Sequence, residues 1–82
     1  MTRILNKQAD VTTGPGGKPV AFKWPGGRYR VREVLDSWLE AGRWWEQEGE
    51  KRTFRVATLE GGVFELTLDL TVKRWYLYKA YD

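Results

Sequence analysis

The sequence predicts an all-β protein in which five or six antiparallel strands follow one another as a meander. Short runs of alternating apolar and polar residues are separated by turns that contain glycine, which is typical of antiparallel strands. No predicted helix is long enough to connect two parallel strands as in a βαβ unit, so the strands are expected to be antiparallel. A flat sheet of this size would leave one of its faces in water. The apolar residues Trp38, Trp45 and Tyr76 occur on both parities, so some of them would be exposed to that water. We therefore expect the sheet to curl into a small SH3-like or partly open barrel.

The composition predicts one small domain that is held together by aromatic residues. A chain of 82 residues is long enough for a single core. It contains neither cysteine nor histidine, which excludes disulfide bonds and thiolate zinc sites, and we expect no cofactor and no metal. Five Trp, four Tyr and three Phe supply the large buried areas that such a core needs. We expect a monomer.

The N-terminal part of the chain differs in pattern from the rest. We divide the single domain into residues 1–17, an N-terminal edge strand with a Gly-rich turn, and residues 18–82, the core β-barrel. The only apolar run near the N-terminus is Ile4-Leu5, which is far shorter than a signal-peptide core or a membrane span of about 20 residues. We therefore expect a cytoplasmic protein.

The first predicted hairpin consists of two strands joined by a tight turn at residues 25–27. Val20, Phe22 and Trp24 have the alternation of a half-buried strand. In the second strand, Tyr29 and Val31 are expected to face the core, because they alternate with basic residues. The basic residues that should form a solvent-exposed stripe are Arg28, Arg30 and Arg32.

The alternation fails at Glu33, which requires a β-bulge or a change of element. Val34, Leu35, Trp38 and Leu39 have the spacing of a helical stripe. However, no capping residue precedes this stripe, and a helix of about eight residues is marginal without strong packing. We favour a bent continuation of the strand, with a short helix over residues 33–41 as the alternative.

Further strands are predicted at residues 43–47, 52–59, 63–70 and 74–81. The alternation is cleanest at 63–70, where Phe64, Leu66, Leu68 and Leu70 should face inward and Glu65, Thr67 and Asp69 outward. In the last strand, inward Trp75 and Leu77 would place Tyr76 and Tyr78 on the outer face. The predicted core consists of Phe22, Tyr29, Val31, Phe54, Val56, Phe64, Leu66, Leu68, Trp75 and Leu77.

The chain offers few side chains for catalysis. It has no His or Cys, and its one serine, Ser37, has only carboxylates near it as bases. We therefore expect a non-enzymatic binding module. Glu46, Glu48 and Glu50 share one parity and are of the type that holds a hard cation. We favour their interpretation as a solvated acidic rim that faces basic residues across a hairpin.

The tandem tryptophans define the first candidate surface. If residues 43–47 form a strand, Trp44 and Trp45 point to opposite faces, so one ring should be at least partly exposed. Exposed tryptophan is a preferred contact residue in protein interfaces. The leading hypothesis is therefore a protein-binding surface that consists of Arg43, Trp44, Trp45, Glu46 and Glu48.

Basic residues interleaved with aromatic ones define the second candidate surface. Barrels that bind single-stranded nucleic acid use cations for the phosphates and rings for the bases. The residues of this alternative surface are Lys23, Arg28, Arg30, Arg32, Tyr76 and Tyr78. The competing interpretation is structural, with rings in the core and solubilising arginines on the outside.

Several motifs carry a resemblance to a known family. They are Pro19-Val20-x-Phe22-x-Trp24, Arg28-Tyr29-Arg30-Val31, Glu33-Val34-Leu35-Asp36-x-Trp38, Gly42-Arg43-Trp44-Trp45 and Arg74-Trp75-Tyr76-Leu77. Over residues 19–82 the chain resembles a bacterial family of uncharacterised small domains, which occur alone or fused to the C-terminal end of Y-family, ImuB-like translesion DNA polymerases. The resemblance implies an accessory role in DNA repair, with a polymerase or repair factor as the protein partner. It implies no catalytic residues.

Overall fold

The computed structural model describes residues 2–40 and 49–81, and these residues form seven β-strands. The strands are β1 (Thr2–Gln8), β2 (Asp10–Thr13), β3 (Pro19–Trp24), β4 (Gly27–Glu40), β5 (Lys51–Thr58), β6 (Val63–Asp69) and β7 (Arg74–Tyr81). A short 3-10 turn at Pro15–Gly17 joins β2 to β3. No helix with the length and apolar character needed to cross a membrane occurs in residues 2–40 or 49–81.

The strands form one antiparallel sheet in the order β1-β7-β6-β5-β4-β3-β2. Only Ala9 separates β1 from β2 in the chain, although the two strands lie at opposite ends of this order. The sheet must therefore curl, and the Ala9 amide donates a hydrogen bond of 3.1 Å to the Trp75 carbonyl. The predicted all-β antiparallel class is confirmed, and the sheet is a curled half-barrel.

The predicted number of five or six strands is too low. The structure places two strands, β1 and β2, within residues 1–17, where the sequence analysis has a single edge strand. β1 pairs with β7, whereas β2 pairs with β3. The sequence gives no sign of this change of pairing partner, because the change takes place at the single residue Ala9 and the alternation on both sides of it is weak.

The long strand β4 confirms the bent strand over residues 33–40 and excludes the helix there. Its first part pairs with β3, and the part from Val31 onward pairs with β5. The register shifts between Val31 and Glu33 and again between Val34 and Asp36, as expected of β-bulges. These bulges change the face to which side chains point, which explains why the alternation fails at Glu33.

The core lies between the β2–β3–β4 part of the sheet and the inner face of β5, β6 and β7. Six of the predicted core residues are buried, namely Phe22, Phe54, Val56, Phe64, Leu66 and Leu77. Tyr29, Val31 and Trp75 pack against them as partly buried residues, and Leu68 is half-buried. Leu70 was predicted to face inward, but it lies in the turn after β6 and is exposed. Ala9, Ala57 and Ala80 are also buried, although the alternation did not place them in the core.

One outward-facing residue of β6 is unexpectedly buried. Glu65 lies on the outer face, as predicted, but is only 4% exposed. Arg55 donates a hydrogen bond of 3.3 Å to its carboxylate, and the Tyr81 hydroxyl donates another. The Arg55 guanidinium also lies 5.3 Å from the centre of the Trp38 ring. Long side chains of neighbouring strands therefore cover Glu65.

Candidate nucleic-acid interface

Two rows of outward side chains cross β2, β3 and β4. In the first row, Asp10 pairs with Lys23, and Lys23 pairs with Arg28. In the second row, Thr12 pairs with Ala21, and Ala21 pairs with Arg30. Directly paired residues on neighbouring strands point to the same side of a sheet. The two rows therefore bring Lys23, Arg28 and Arg30 together on one exposed surface.

A depression in this surface, which we call the Ala21 cavity, has a volume of about 570 Å³. Ala21 lies among the longer side chains of Lys23, Arg28 and Arg30, all of which line the cavity. The short Ala21 side chain therefore leaves room that the longer ones enclose. The remaining lining residues are Asp10, Thr12, Phe22, Tyr29 and Glu60.

The cations of this surface differ in their counter-charges. Arg30 pairs with Glu60 at 2.9 Å, and Arg32 lies 3.5 Å from Glu33. Within the part of the chain that the structure describes, Lys23 and Arg28 form no ion pair, although both are exposed. Two cations directly opposite each other repel. An anion between Lys23 and Arg28 would relieve that repulsion.

Glu60 holds one wall of the Ala21 cavity in place. Its carboxylate accepts hydrogen bonds from the Arg30 backbone amide at 2.7 Å and from Arg30 Nε at 2.9 Å. The backbone amide and then the guanidinium of Arg30 lower the pKa of Glu60. The Leu59 amide also donates to the Arg30 carbonyl at 2.9 Å. The turn between β5 and β6 is thus tied to β4 at the residue that carries the guanidinium.

Aromatic rings support the surface from the core side. Phe22 stacks on Tyr29 with ring centres 5.3 Å apart, and Phe64 lies 4.7 Å from Tyr29. Phe22 is buried and Tyr29 is half-buried. As the structural interpretation predicts, these rings mainly pack on the core, and they fix the strands that carry Lys23 and Arg28.

A second depression, the Trp24 cavity, lies on the other side of Lys23 and has a volume of about 490 Å³. Its lining residues are Gln8, Asp10, Lys23, Trp24 and Pro25. Trp24 is half-buried, and among the described residues its Nε1 atom is buried without a hydrogen-bond acceptor. A Cβ at Gly26 would overlap with the indole ring, so Gly26 allows the ring to lie close against the turn.

A comparison with protein families gives a match over nearly the whole chain. A family model described as DUF6504, a domain of unknown function, matches residues 2–82. The chain belongs to the DUF6504 family. The match begins before Pro19 and so includes β1 and β2, which the resemblance at residues 19–82 leaves out. No curated protein and no solved structure matches the chain.

The two tyrosines of the predicted nucleic-acid surface lie elsewhere in the DUF6504 domain. Tyr76 and Tyr78 line a third cavity of about 470 Å³, together with Asn6, Thr53 and Thr67. None of the four predicted basic residues is among the described residues that line it. Arg32, in turn, lines neither the Ala21 cavity nor the Trp24 cavity. The fold therefore brings together Lys23, Arg28 and Arg30 and separates them from the tyrosines.

The predicted protein-binding residues have a different status. Arg43, Trp44, Trp45, Glu46 and Glu48 lie outside the described residues. Their assignment stays a prediction. In the ranges that the structure describes, no group of three or more His, Cys, Asp or Glu side chains is arranged to hold a metal ion.

Sequence reasoning missed four residues of the Ala21 cavity, namely Asp10, Thr12, Ala21 and Glu60. The parity of Ala21 with Lys23 was visible in the sequence, and a small residue between long ones indicates a depression. Asp10 and Glu60 gave no such signal, because they come from β2 and from the turn after β5. Only the pairing of distant strands brings them to the cavity.

Proposed function

We propose that this DUF6504 domain is a non-enzymatic module that binds single-stranded nucleic acid through the outer surface of β2, β3 and the beginning of β4. The observation that carries the proposal is the cross-strand pair of Lys23 and Arg28, which are exposed and lack ion-pair partners among the described residues. Phosphates are the anions that such paired cations bind. The absence of His and Cys from the sequence supports a binding role rather than a catalytic one.

The resemblance described above supports the biological setting of this proposal. It relates the chain to small bacterial domains that are fused to the C-terminal end of ImuB-like translesion polymerases. Such polymerases act on a template whose bases are unpaired. We therefore propose a cytoplasmic accessory of DNA repair in a bacterium, which holds the single strand near the polymerase.

The test is the salt dependence of binding to a fluorescently labelled thymidine oligonucleotide, measured by anisotropy between about 50 and 200 mM salt. We expect a slope of log K against log salt that reports about three or more neutralised phosphates. Lys23→Ala and Arg28→Ala should each reduce the magnitude of the slope by about 0.7, the contribution of one phosphate contact on a single strand. Absence of binding at low salt would rule out this function.

Arg74→Ala is the matched control for the loss of one positive charge. Arg74 is exposed on β7 and lines neither the Ala21 cavity nor the Trp24 cavity. A mere effect of net charge would lower the affinity of this variant as much as that of Lys23→Ala. If Lys23 and Arg28 contact phosphates locally, the slope of log K against log salt for Arg74→Ala should equal that of the parent.

A second candidate function is the contact with a protein partner through residues 43–48. The described residues beside this segment favour it, because Leu39 is 52% exposed at the end of β4 and Val72 is 55% exposed in the turn after β6. The Leu70 amide donates to the Glu50 carbonyl at 3.0 Å, so this turn lies at the same end of the sheet. Contact with a partner at this end would remove the apolar surface of both side chains from water.

The tandem tryptophans provide the test of this second function. In variants that retain Trp44 or Trp45 as the single tryptophan, we expect acrylamide to quench one residue readily and the other poorly. Alanine at the quenched position should leave the fold intact and weaken binding to a translesion polymerase. Equal protection of both rings would contradict the hypothesis.

A further inference from the structure

The Ala21 cavity and the Trp24 cavity share two lining residues, Asp10 and Lys23. Both residues belong to the row that continues across β3 to Arg28. The two cavities therefore meet at Lys23, which forms no ion pair with any of the described residues. Their volumes of about 570 and 490 Å³ are in the range of sites for small ligands.

The side chains along this surface present two cations at the centre and two depressions beside them. At the centre, Lys23 and Arg28 present two adjacent cations, which suit a phosphate. On one side, the short Ala21 side chain leaves a depression that a flat ring can enter. On the other side, at the end of β3, the Pro25 ring and the indole of Trp24 line the cavity. This indole also packs against the core, which holds it in place, and an indole face is a platform on which bases stack.

The indole of Trp24 is oriented with its nitrogen away from solvent. Its N–H group is buried and finds no acceptor among the described residues. Buried donors without a partner are rare, and each one needs an explanation. The donor is not accessible from the Trp24 cavity, so the ring face, and not the N–H group, is the part of Trp24 that a base would contact.

We infer that this surface binds two successive nucleotides of a single strand. Lys23 and Arg28 hold the phosphate that joins them, one base occupies the Ala21 cavity, and the other stacks on Trp24. The inference rests on the proposed function and specifies it further, because it names a dinucleotide as the binding unit and assigns a place to each base. The Asp10 carboxylate beside Lys23 limits the affinity for the phosphate, since it is a negative charge on the same row.

The experiment compares two ligands, thymidine mononucleotide and the thymidylyl dinucleotide, with the full chain by isothermal titration. We expect the dinucleotide to bind about five- to a hundredfold tighter, because it adds one stacked base. Trp24→Leu should lower the dinucleotide affinity to that of the mononucleotide. Asp10→Asn should raise the affinity for both ligands.

Ala21→Leu tests the other cavity without a change of charge. It should weaken binding of the dinucleotide by about tenfold or more, because the leucine side chain fills the place of one base. Val20→Leu is the matched control, since Val20 is exposed on the same strand and lines neither cavity. Parent affinity in Ala21→Leu, or an equal loss in Val20→Leu, would overturn the assignment of the Ala21 cavity.

A measurement on the parent protein covers the case in which Trp24→Leu fails to fold. The indole N–H resonance of Trp24 should shift on titration with the dinucleotide and stay in place with the mononucleotide or move less. An unmoved resonance at saturation would overturn the assignment of the Trp24 cavity. If the long oligonucleotide binds with the expected salt slope but the dinucleotide has no advantage, this inference is wrong and the proposed function stands. If no oligonucleotide binds, both are wrong.

Discussion

Substituting Phe64 by alanine should remove an aromatic contact between the two parts of the curled sheet. Phe64 lies on β6, and its ring centre is 5.4 Å from that of Phe22 on β3 and 4.7 Å from that of Tyr29 on β4. It is only 7% exposed. Phe64→Ala therefore leaves a cavity between the β2–β3–β4 part and the β5–β6–β7 part, and it breaks two aromatic contacts at once.

The expected cost follows from this burial. Truncation of a buried phenylalanine to alanine lowers the free energy of unfolding by about 3–5 kcal/mol. A domain of 82 residues has a total stability of about 4–12 kcal/mol. The substitution should thus remove between a quarter and all of the stability, and it should lower Tm by about 12 °C or more.

The assay is urea and thermal unfolding followed by far-ultraviolet circular dichroism, with Val72→Ala as the matched control. Val72 is 55% exposed, so its truncation should change the free energy of unfolding by less than about 0.5 kcal/mol. Phe64→Leu keeps most of the volume and should cost less than about 1.5 kcal/mol. A Phe64→Ala variant with the midpoint of the parent would refute the packing of the two parts described here.

Three further predictions concern stability. Gly49→Ala should cost about 1–3 kcal/mol, because the new Cβ would overlap with the side chain of Thr71, and the added change Thr71→Gly should restore the urea midpoint. Thr53→Val or Thr67→Val alone should cost about 1 kcal/mol, since each leaves one member of a hydroxyl pair at 3.1 Å unsatisfied, whereas the double variant should be near neutral. Glu60→Gln should remove a pH-dependent contribution to the free energy of unfolding. Because folding lowers the pKa of Glu60, this contribution is present at pH values above the ordinary pKa of 4.5. It is lost as the pH falls through the folded-state pKa. If acidification lowers the urea midpoint of the Glu60→Gln variant as much as that of the parent, the prediction for Glu60 is wrong.

The sequence alone determined the all-β class and the faces of the clearest strands. Phe64 and Leu66 are buried on the inner face, and Arg28 and Arg30 are exposed on the other side from Tyr29. These predictions succeeded because alternation is a property of a single strand, in which successive side chains point to opposite faces. Even the opposition of Lys23 and Arg28 is local, since the tight turn at residues 25–26 sets the register of that hairpin.

Only the tertiary structure decided which distant residues surround Glu65 and which ones line the Ala21 cavity. Glu65 has the parity of an exposed residue, yet Arg55 and Tyr81 from two neighbouring strands bury its carboxylate. Asp10 and Glu60 reach the Ala21 cavity from segments far from Lys23 in the chain. The physical reason is that alternation depends on the backbone of one strand, whereas these contacts depend on the pairing register of several strands. Asp10 reaches the cavity because the chain changes at Ala9 from pairing with β7 to pairing with β3, whereas Glu60 does so because its turn is hydrogen-bonded to Arg30 on β4.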